Sequence, residues 1–261
     1  MANPVSTERR GAVLEVTLDR PKANAINSET SRYMDDVFQA FAMDLELRVA
    51  ILTGAGEKFF SAGWDLVQAA SGESDSGGFG KGGFGGLTQF FDLDKPVIAA
   101  INGYAAGGGF ELALACDLIV CADHATLMLP EALRGITPEP IGVRRLLSRL
   151  PRTVAIEVLY AGRRLSGQEA YDMGLASRVV TQADLMDSAR ELADDIVANA
   201  PLAIAAIKEM VTLTESLSLT EASAMEASGG LKGYERMNRS EDAKEGPLAF
   251  AEKRDPVWKG R

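Results

Sequence analysis

Glu111 is the only charged residue in the apolar run Gly109-Phe-Glu-Leu-Ala-Leu-Ala-Cys116, which has too few polar positions to give a helix a solvent face. A lone carboxylate removed from water is costly unless it is paired, hydrogen-bonded or protonated, so a buried one marks chemistry. Gly107, Gly108 and Gly109 open the same helix with bare backbone. Free N–H groups there, with the helix dipole behind them, suit an anion or a developing oxyanion. A phosphate-binding loop and a tight packing turn use the same residues, and the glycines alone do not separate these readings.

Glu131 supplies a second carboxylate, placed after Pro130 at the end of the short apolar stretch Ala125 to Leu129. Two carboxylates flanking one water can hold it, take its proton and return a proton, which is what adding water across an activated double bond requires. In a shared buried site they titrate as a coupled pair. The competing reading pairs Glu131 with Arg134 or Arg145 at the surface. A second turn, Phe59-Phe-Ser-Ala-Gly-Trp-Asp-Leu66, has small residues ahead of Trp64 that expose its amide. Trp64 and Gly108 are therefore candidate twin donors of an oxyanion hole, against the alternative of an aromatic turn packed into the core.

Strands and helices must alternate to carry these groups. Leu14, Val16 and Leu18 alternate with polar residues as a half-buried strand, and Asn27 or Ser28 caps a helix with Tyr33, Val37, Phe41 and Leu45 at helical spacing. Arg48 to Gly54, Val97 to Asn102, Asp117 to Cys121 and Ala125 to Leu129 read as further strands. The order before Glu111 is thus strand, glycine turn, helix. Ser71 to Gly86, rich in Gly and Ser with Phe79 and Phe84, reads as a mobile surface loop, of a length that often serves as a lid. After Gly142 the pattern is mainly helical. The fold class is α/β.

Composition bounds the rest. A chain of 261 residues with 46% hydrophobic content buries a substantial core. Its 37 acidic against 27 basic residues give a charge of −10, which disfavours nucleic acid and anionic membranes. The amino-terminal residues lack the apolar core of a signal peptide and no run is long enough to span a bilayer, so a cytoplasmic protein is expected. Cys116, Cys121 and His124 lack metal-type spacing and read as core thiols and a turn histidine; no metal is expected.

The pieces in this order resemble the crotonase (enoyl-CoA hydratase/isomerase) superfamily: Asp19-Arg-Pro-Lys-Ala-Asn-Ala25, Ser61-Ala-Gly-Trp-Asp-Leu66, Lys95-Pro-Val-Ile-Ala-Ala-Ile-Asn-Gly103, Gly107-Gly-Gly-Phe-Glu111, Pro130-Glu131 and Glu252-Lys-Arg254. The resemblance runs nearly end to end. It implies a spiral of ββα repeats with an acyl-CoA site over residues 1–200 and a helical trimerisation region over 201–261, with trimers or hexamers as the assembled form. It further implies an acyl-CoA substrate and no cofactor, coenzyme A entering as part of the substrate. Glu111 and Glu131 match the catalytic glutamates of the hydratases, and the amides of Trp64 and Gly108 match their oxyanion hole. Lys22, Ala23, Ala25, Ala62, Asp65 and Leu66 match CoA- and substrate-binding positions, and Lys253 a tail residue that reaches a neighbouring subunit's CoA. The implied reaction is reversible syn hydration of a 2-enoyl-CoA. The runs Gly54 to Asp65 and Gly246 to Arg261 are similar to a branch acting on a short acyl chain with a γ-trimethylammonium group; Trp64, Phe79, Phe84 and Phe90 are candidates to meet that cation.

One departure concerns the acyl pocket. Hydratases of the family usually carry Gly-Gly shortly after the second glutamate, whereas this chain has Glu139-Pro-Ile-Gly142, so Ile141, Gly142 and Phe84 are the acyl-pocket candidates. Glu139 falls where some dienoyl-CoA isomerases of the family place a third carboxylate, making double-bond isomerisation the alternative reaction. A catalytically silent oligomer binding acyl-CoA or RNA is the alternative from another class.

Overall fold

The computed structural model describes residues 3–70 and 78–261. Contacts divide the chain into two compact units, Met1–Phe90 with Val97–Ala193, and Phe91–Pro96 with Asp194–Arg261. Both the cut after residue 193 and the inclusion of 91–96 differ from a simple division at 200/201. Residues 91–96 join the second unit through bonds to its helices: Lys208 Nζ donates to the Lys95 carbonyl at 2.8 Å, and Arg236 pairs with Asp94 at 3.4 Å.

In the first unit, β1 (Val5–Arg10) and β2 (Val13–Leu18) form an antiparallel hairpin. Parallel strands β3 (Val49–Gly54), β5 (Val97–Ile101), β7 (Leu118–Ala122) and β10 (Arg178–Val180) extend it to a six-stranded sheet in the order β1-β2-β3-β5-β7-β10. Every residue of β3 and β5 is buried, which is why both read as continuous apolar runs. A second sheet runs β4 (Phe59–Ser61), β6 (Tyr104–Ala106), β8 (Thr126–Met128) and β9 (Leu165–Ser166). Each successive pair, β3/β4, β5/β6 and β7/β8, gives one strand to each sheet, which is the ββα spiral. The expected order of strand, glycine turn, helix before Glu111 is thereby corrected: β6 intervenes between β5 and the glycines.

Asn102, at the crossing from β5 to β6, holds the two sheets together. Its Nδ2 donates to the carbonyls of Gly54 (2.8 Å), Gly56 (2.7 Å) and Phe59 (3.2 Å), and its Oδ1 accepts from the Gly54 amide (3.2 Å). Asn102 is 2% exposed, so truncation strands buried carbonyls rather than handing them to water. Asn102→Ala is expected to cost about 2 kcal/mol in chemical denaturation, and a loss below about 0.5 kcal/mol would show that water replaces these bonds.

Helix α1 (Ser28–Met43) starts at Asn27, whose side chain accepts from the Thr30 amide, and buries Ser31, Met34, Asp35 and Phe38 on one face. Then come α2 (Leu66–Ala70), α3 (Gly108–Ala115), α4 (Pro140–Arg149), α5 (Arg152–Ala161), α6 (Gly167–Asp172) and α7 (Leu185–Val197). The second unit contains α8 (Pro201–Thr214), α9 (Leu219–Ala227), α10 (Lys232–Asn238) and α11 (Asp242–Glu252). Its last residues fold back on α11: Asp242, 4% exposed, accepts the amides of Lys259 and Gly260, and Glu245 takes Arg254 in a two-point pair at 2.6 and 2.9 Å. Among the described residues no single helix is long and apolar enough to cross a membrane.

The glycine-rich segment departs from the expected mobile loop. Residues 71–77 lie outside the described residues, but 82–88 are buried and held against α1. Asp35 accepts the amides of Lys81 (3.0 Å) and Gly82 (2.8 Å), while the Ser31 hydroxyl donates to the Phe79 carbonyl and accepts from the Gly85 amide, both at 2.9 Å. Glycine composition signals an irregular backbone; it does not say whether a neighbouring helix supplies its missing hydrogen bonds.

Candidate active site

A cavity of about 490 Å³ lies in the first unit, at the ends of β4, β6 and β8. Three turns build it. The turn after β4 is fixed by Asn24, whose Nδ2 donates to the Phe59 carbonyl at 2.8 Å and whose own carbonyl accepts from Ser61 Oγ at 2.7 Å. Ile26 then bridges to Trp64 in parallel: the Ile26 amide donates to the Gly63 carbonyl (2.8 Å), and its carbonyl accepts from the Asp65 amide (3.0 Å). These bonds use the residues flanking Trp64, so the Trp64 N–H points to the opposite side.

The turn after β6 opens α3. Gly107, with φ 55°, caps the helix and ties its own amide to the Met128 carbonyl of β8 at 2.9 Å. That left-handed conformation suits glycine, and a Cβ there would also lie 2.8 Å from Glu131 Oε1. Gly108 is the first helical residue, with its N–H ahead of the intrahelical ladder. A Cβ on Gly63 would stand 2.6 Å from the Gly108 nitrogen, so the Trp64 and Gly108 turns are in contact. Among the described residues neither the Trp64 nor the Gly108 amide has an acceptor.

Glu111 and Glu131 share a cavity with Trp64 and Gly108. Both line the cavity, and they are 6% and 8% exposed. Neither has an ion-pair partner among the described residues, so the surface pairing of Glu131 with Arg134 or Arg145 is not formed; Arg145 instead donates to the Thr88 carbonyl at 2.7 Å. Glu111 Oε1 accepts the Glu139 amide at 2.8 Å, and Glu131 Oε2 is buried with no hydrogen-bond partner. Burial first, and then the neighbouring Glu131 charge, push the Glu111 carboxyl up to about 7 against the weaker pull of the Glu139 amide. Burial likewise raises Glu131. A carboxyl raised to about 7 beside a second raised carboxyl is equipped both to accept and to donate protons near neutrality.

The other expected positions divide. Ala25, Ala62, Asp65, Leu66 and Phe84 line the cavity with Trp64 and Gly108. Asp65 is held by Arg20 at 2.8 Å. Lys22, Ala23, Ile141, Gly142 and Phe90 are outside the lining, and Lys253 belongs to the second unit, capping α11 in a left-handed conformation. Gly142 is nevertheless packed against the Glu111 carboxylate, so closely that a Cβ on it would overlap Oε1. The helical step of about 100° then turns Ile141 away from the carboxylate that Gly142 faces, so Ile141 does not narrow the cavity. Phe59, Tyr104, Met128, Ile136 and Thr137 line it without having been singled out from the sequence, as does Arg134, which the sequence offered only as an ion-pair partner of Glu131. Their signal, if any, is adjacency to the three turns. Among the described residues no cluster of His, Cys, Asp or Glu is arranged to hold a metal ion.

Two strands and a helix start thus bring two amides without acceptors among the described residues to the cavity that holds two buried carboxylates. The enoyl-CoA hydratase/isomerase family matches residues 8–261, and the chain belongs to that family, the crotonase superfamily. It is an enzyme of the hydro-lyase type, and its reaction class is hydration or dehydration of an enoyl-CoA. It is similar to carnitinyl-CoA dehydratases from Proteus mirabilis and from Escherichia coli K12, each 59% identical over 100% of both chains. Among solved structures, an enoyl-CoA hydratase from Mycobacterium marinum superposes with a TM-score of 0.91 at 40% identity, covering 99% of this chain and 100% of the other. One from Mycobacterium tuberculosis H37Rv gives 0.90 at 39% identity, again over 99% and 100%.

Proposed function

We propose that Glu111 and Glu131 carry out reversible syn hydration of a short 2-enoyl-CoA whose thioester oxygen is held by the amides of Trp64 and Gly108, with crotonobetainyl-CoA and carnitinyl-CoA as the physiological pair. The observation that carries this reading is two buried carboxylates, unpaired among the described residues, on the same cavity as two amides without acceptors. The ionised glutamate takes a proton from water as its oxygen bonds to C3. The electron pair of the C2–C3 double bond moves onto the thioester oxygen, where the two N–H groups stabilise the enolate. The protonated glutamate then delivers a proton to C2 and the carbonyl re-forms. Hydrogen and hydroxyl are added, nothing is oxidised or reduced, and the steps call for no cofactor beyond the coenzyme A of the substrate. The narrower substrate is supported by the 59% identity to enzymes bearing the name carnitinyl-CoA dehydratase.

In this reading Ala25, Ala62, Asp65 and Leu66, at the cavity, and Lys22 and Ala23, beside it in sequence, serve the CoA arm. The second unit serves self-association as a trimer or hexamer. Its exposed Phe91, Ile207, Val211 and Phe250, at 52% to 87% exposure, supply the apolar surface such an assembly buries, and Lys253 contributes to a neighbour's CoA site.

Steady-state hydration of crotonyl-CoA and crotonobetainyl-CoA tests the proposal. The expected result is turnover of both, with kcat/KM at least about tenfold higher for the cationic thioester, a difference the size of one good cation–π contact. Comparable values remove the cationic substrate. No hydration of either removes the hydratase reading.

A further inference from the structure

Arg145 is a half-buried guanidinium that lies outside the cavity lining and has no part in the proposed chemistry. On α4 it shares one face with Gly142, Leu146 and Arg149, at the i, i+3, i+4 and i+7 spacing. That face meets both ends of α3. Gly142 packs on the Glu111 carboxylate in the first turn of α3, and Arg149 Nη2 donates at 2.8 Å to the carbonyl of Cys116, which caps its last turn. Between these two contacts, Arg145 Nη1 donates to the Thr88 carbonyl at 2.7 Å, 57 positions away in the chain.

Thr88 closes the glycine-rich segment that lies against α1. It is 4% exposed, and its amide donates to the Phe84 carbonyl at 3.4 Å. The Phe84 ring in turn backs Gly108, where a Cβ would stand 2.7 Å from Cε1. One guanidinium thus joins the two sides of the site. On one side is α4, which holds Glu111 through the Glu139 amide and the Gly142 contact; on the other is the segment behind Gly108, a proposed oxyanion donor. Movement of α4 relative to Thr88 shifts the proton-handling carboxylate relative to the bound thioester. A displacement near 1 Å of that kind costs about 100-fold in rate.

The charge asks for a separate reason. A neutral amide also donates to a carbonyl, and burying a guanidinium is costly: burial, and then Arg149, hold Arg145 below its ordinary value. The charges that act most strongly on Glu111 are Glu131 in the turn after β8, Glu139 at the start of α4, and Arg145. The rest of the lining adds Asp65, which Arg20 answers, and Arg134, so the cavity carries four carboxylates against one guanidinium. Around Arg145 itself stand Arg149 on its own helix and Glu111, Cys116 and Asp117 from α3 and the residues just after it. Glu111 therefore feels two like charges, with Arg145 as the positive charge that opposes them. An arginine keeps that charge at every working pH.

We infer that Arg145 is a positioning residue for the hydration: it locks α4, and Glu111 with it, to the segment that backs the Gly108 amide, and it sets its positive charge against those of Glu131 and Glu139. This rests on the proposed roles of Glu111 and Gly108.

The test is the pH profile of kcat/KM for crotonyl-CoA hydration, which reports the acid and base of the free enzyme. Arg145→Met removes donor and charge together, whereas Arg145→Lys keeps the charge and a shorter donor. Arg145→Met is expected to lower kcat about tenfold with KM within about twofold of wild type, because the side chain lies outside the lining. It is also expected to move the limb governed by the Glu111–Glu131 pair upward by about 0.5 pH, since ionised Glu111 has lost its opposing charge. Arg145→Lys is expected to leave that limb in place and to recover most of the rate. Lost packing alone slows the reaction without moving the limb. Arg145→Gln removes the same charge with a smaller polar side chain and reads the same limb if methionine disturbs folding. A limb absent near neutrality, unmoved in the neutral variants or moved equally in Arg145→Lys overturns the proposal, as does a wild-type kcat in the neutral variants. In those cases hydration by wild type leaves the hydratase reading standing. If wild type hydrates neither crotonyl-CoA nor crotonobetainyl-CoA, the hydratase reading fails and the role of Arg145 with it.

Discussion

Glu111→Gln is expected to lower kcat/KM for enoyl-CoA hydration by about 10³-fold, the middle of the range for loss of a general acid–base group, and to make the folded protein more stable at pH 8. The two effects have one origin. Gln keeps an oxygen to accept the Glu139 amide, so the geometry at Oε1 survives while proton transfer is lost. The wild-type carboxyl, raised to about 7 by burial and by Glu131, binds its proton more tightly folded than unfolded, where its ordinary value is 4.5. Below pH 4.5 both states are protonated and the group adds no penalty. Between pH 4.5 and 7 the unfolded chain loses this proton while the folded one keeps it, so stability falls as pH rises; above pH 7 the penalty is complete, about 3 kcal/mol. Gln carries no such penalty. Denaturant melts at pH 5 and pH 8 should therefore show a smaller loss of stability for Glu111→Gln than for wild type. Equal losses would mean that Glu111 is not desolvated as described, and a wild-type rate would remove it from the mechanism.

Gly142→Ala is expected to reduce kcat/KM by about 100-fold, a rate loss of the size that a displacement near 1 Å produces, with the helix propensity gained from alanine offset by the Glu139 amide left without its acceptor. Gly142 lies in the first turn of α4, where alanine is the better helix former and its backbone needs no left-handed conformation. The added methyl, however, overlaps Glu111 Oε1 and comes within 2.8 Å of Cδ and Cγ. The carboxylate must swing away, losing the Glu139 amide and its aim at the cavity. Helix propensity and catalysis thus move in opposite directions from one methyl group. A variant that keeps full activity would show that the water site tolerates a displaced Glu111.

The parts of this protein legible in its sequence are those whose signal is local. β3 and β5 are continuous apolar runs because both faces are covered, and Glu111 stands out because a charge breaks such a run. β4 and β6 are three residues each, too short to show alternation, yet they carry the turns of Trp64 and Gly108. β1 reads as a charged segment because five of its six residues are exposed, and only the hairpin with β2 makes it a strand. Of the cavity lining, the two glutamates and the turns of Trp64 and Gly108 could be named in advance, since buried charge and small residues are visible one at a time. The Glu139 amide on Glu111 and the Asp35 grip on Lys81 and Gly82 join residues 28, 46 and 47 positions apart, and no local pattern announces them. The same limit explains Ile141: the sequence shows a bulky residue near the pocket, but which side of α4 faces Glu111 is set by packing.

The acidic lining also decides what stays out. A short acyl chain ending in its own carboxylate would set a further negative charge beside the Glu111–Glu131 pair and Glu139, with Arg134 as the one guanidinium in the lining. Glu111 and Glu131 are buried, so that repulsion is poorly screened. On the proposed placement of the thioester, enoyl-CoA thioesters with a terminal carboxylate are expected to be hydrated more slowly than neutral ones of the same length, a selection made by charge and not by shape.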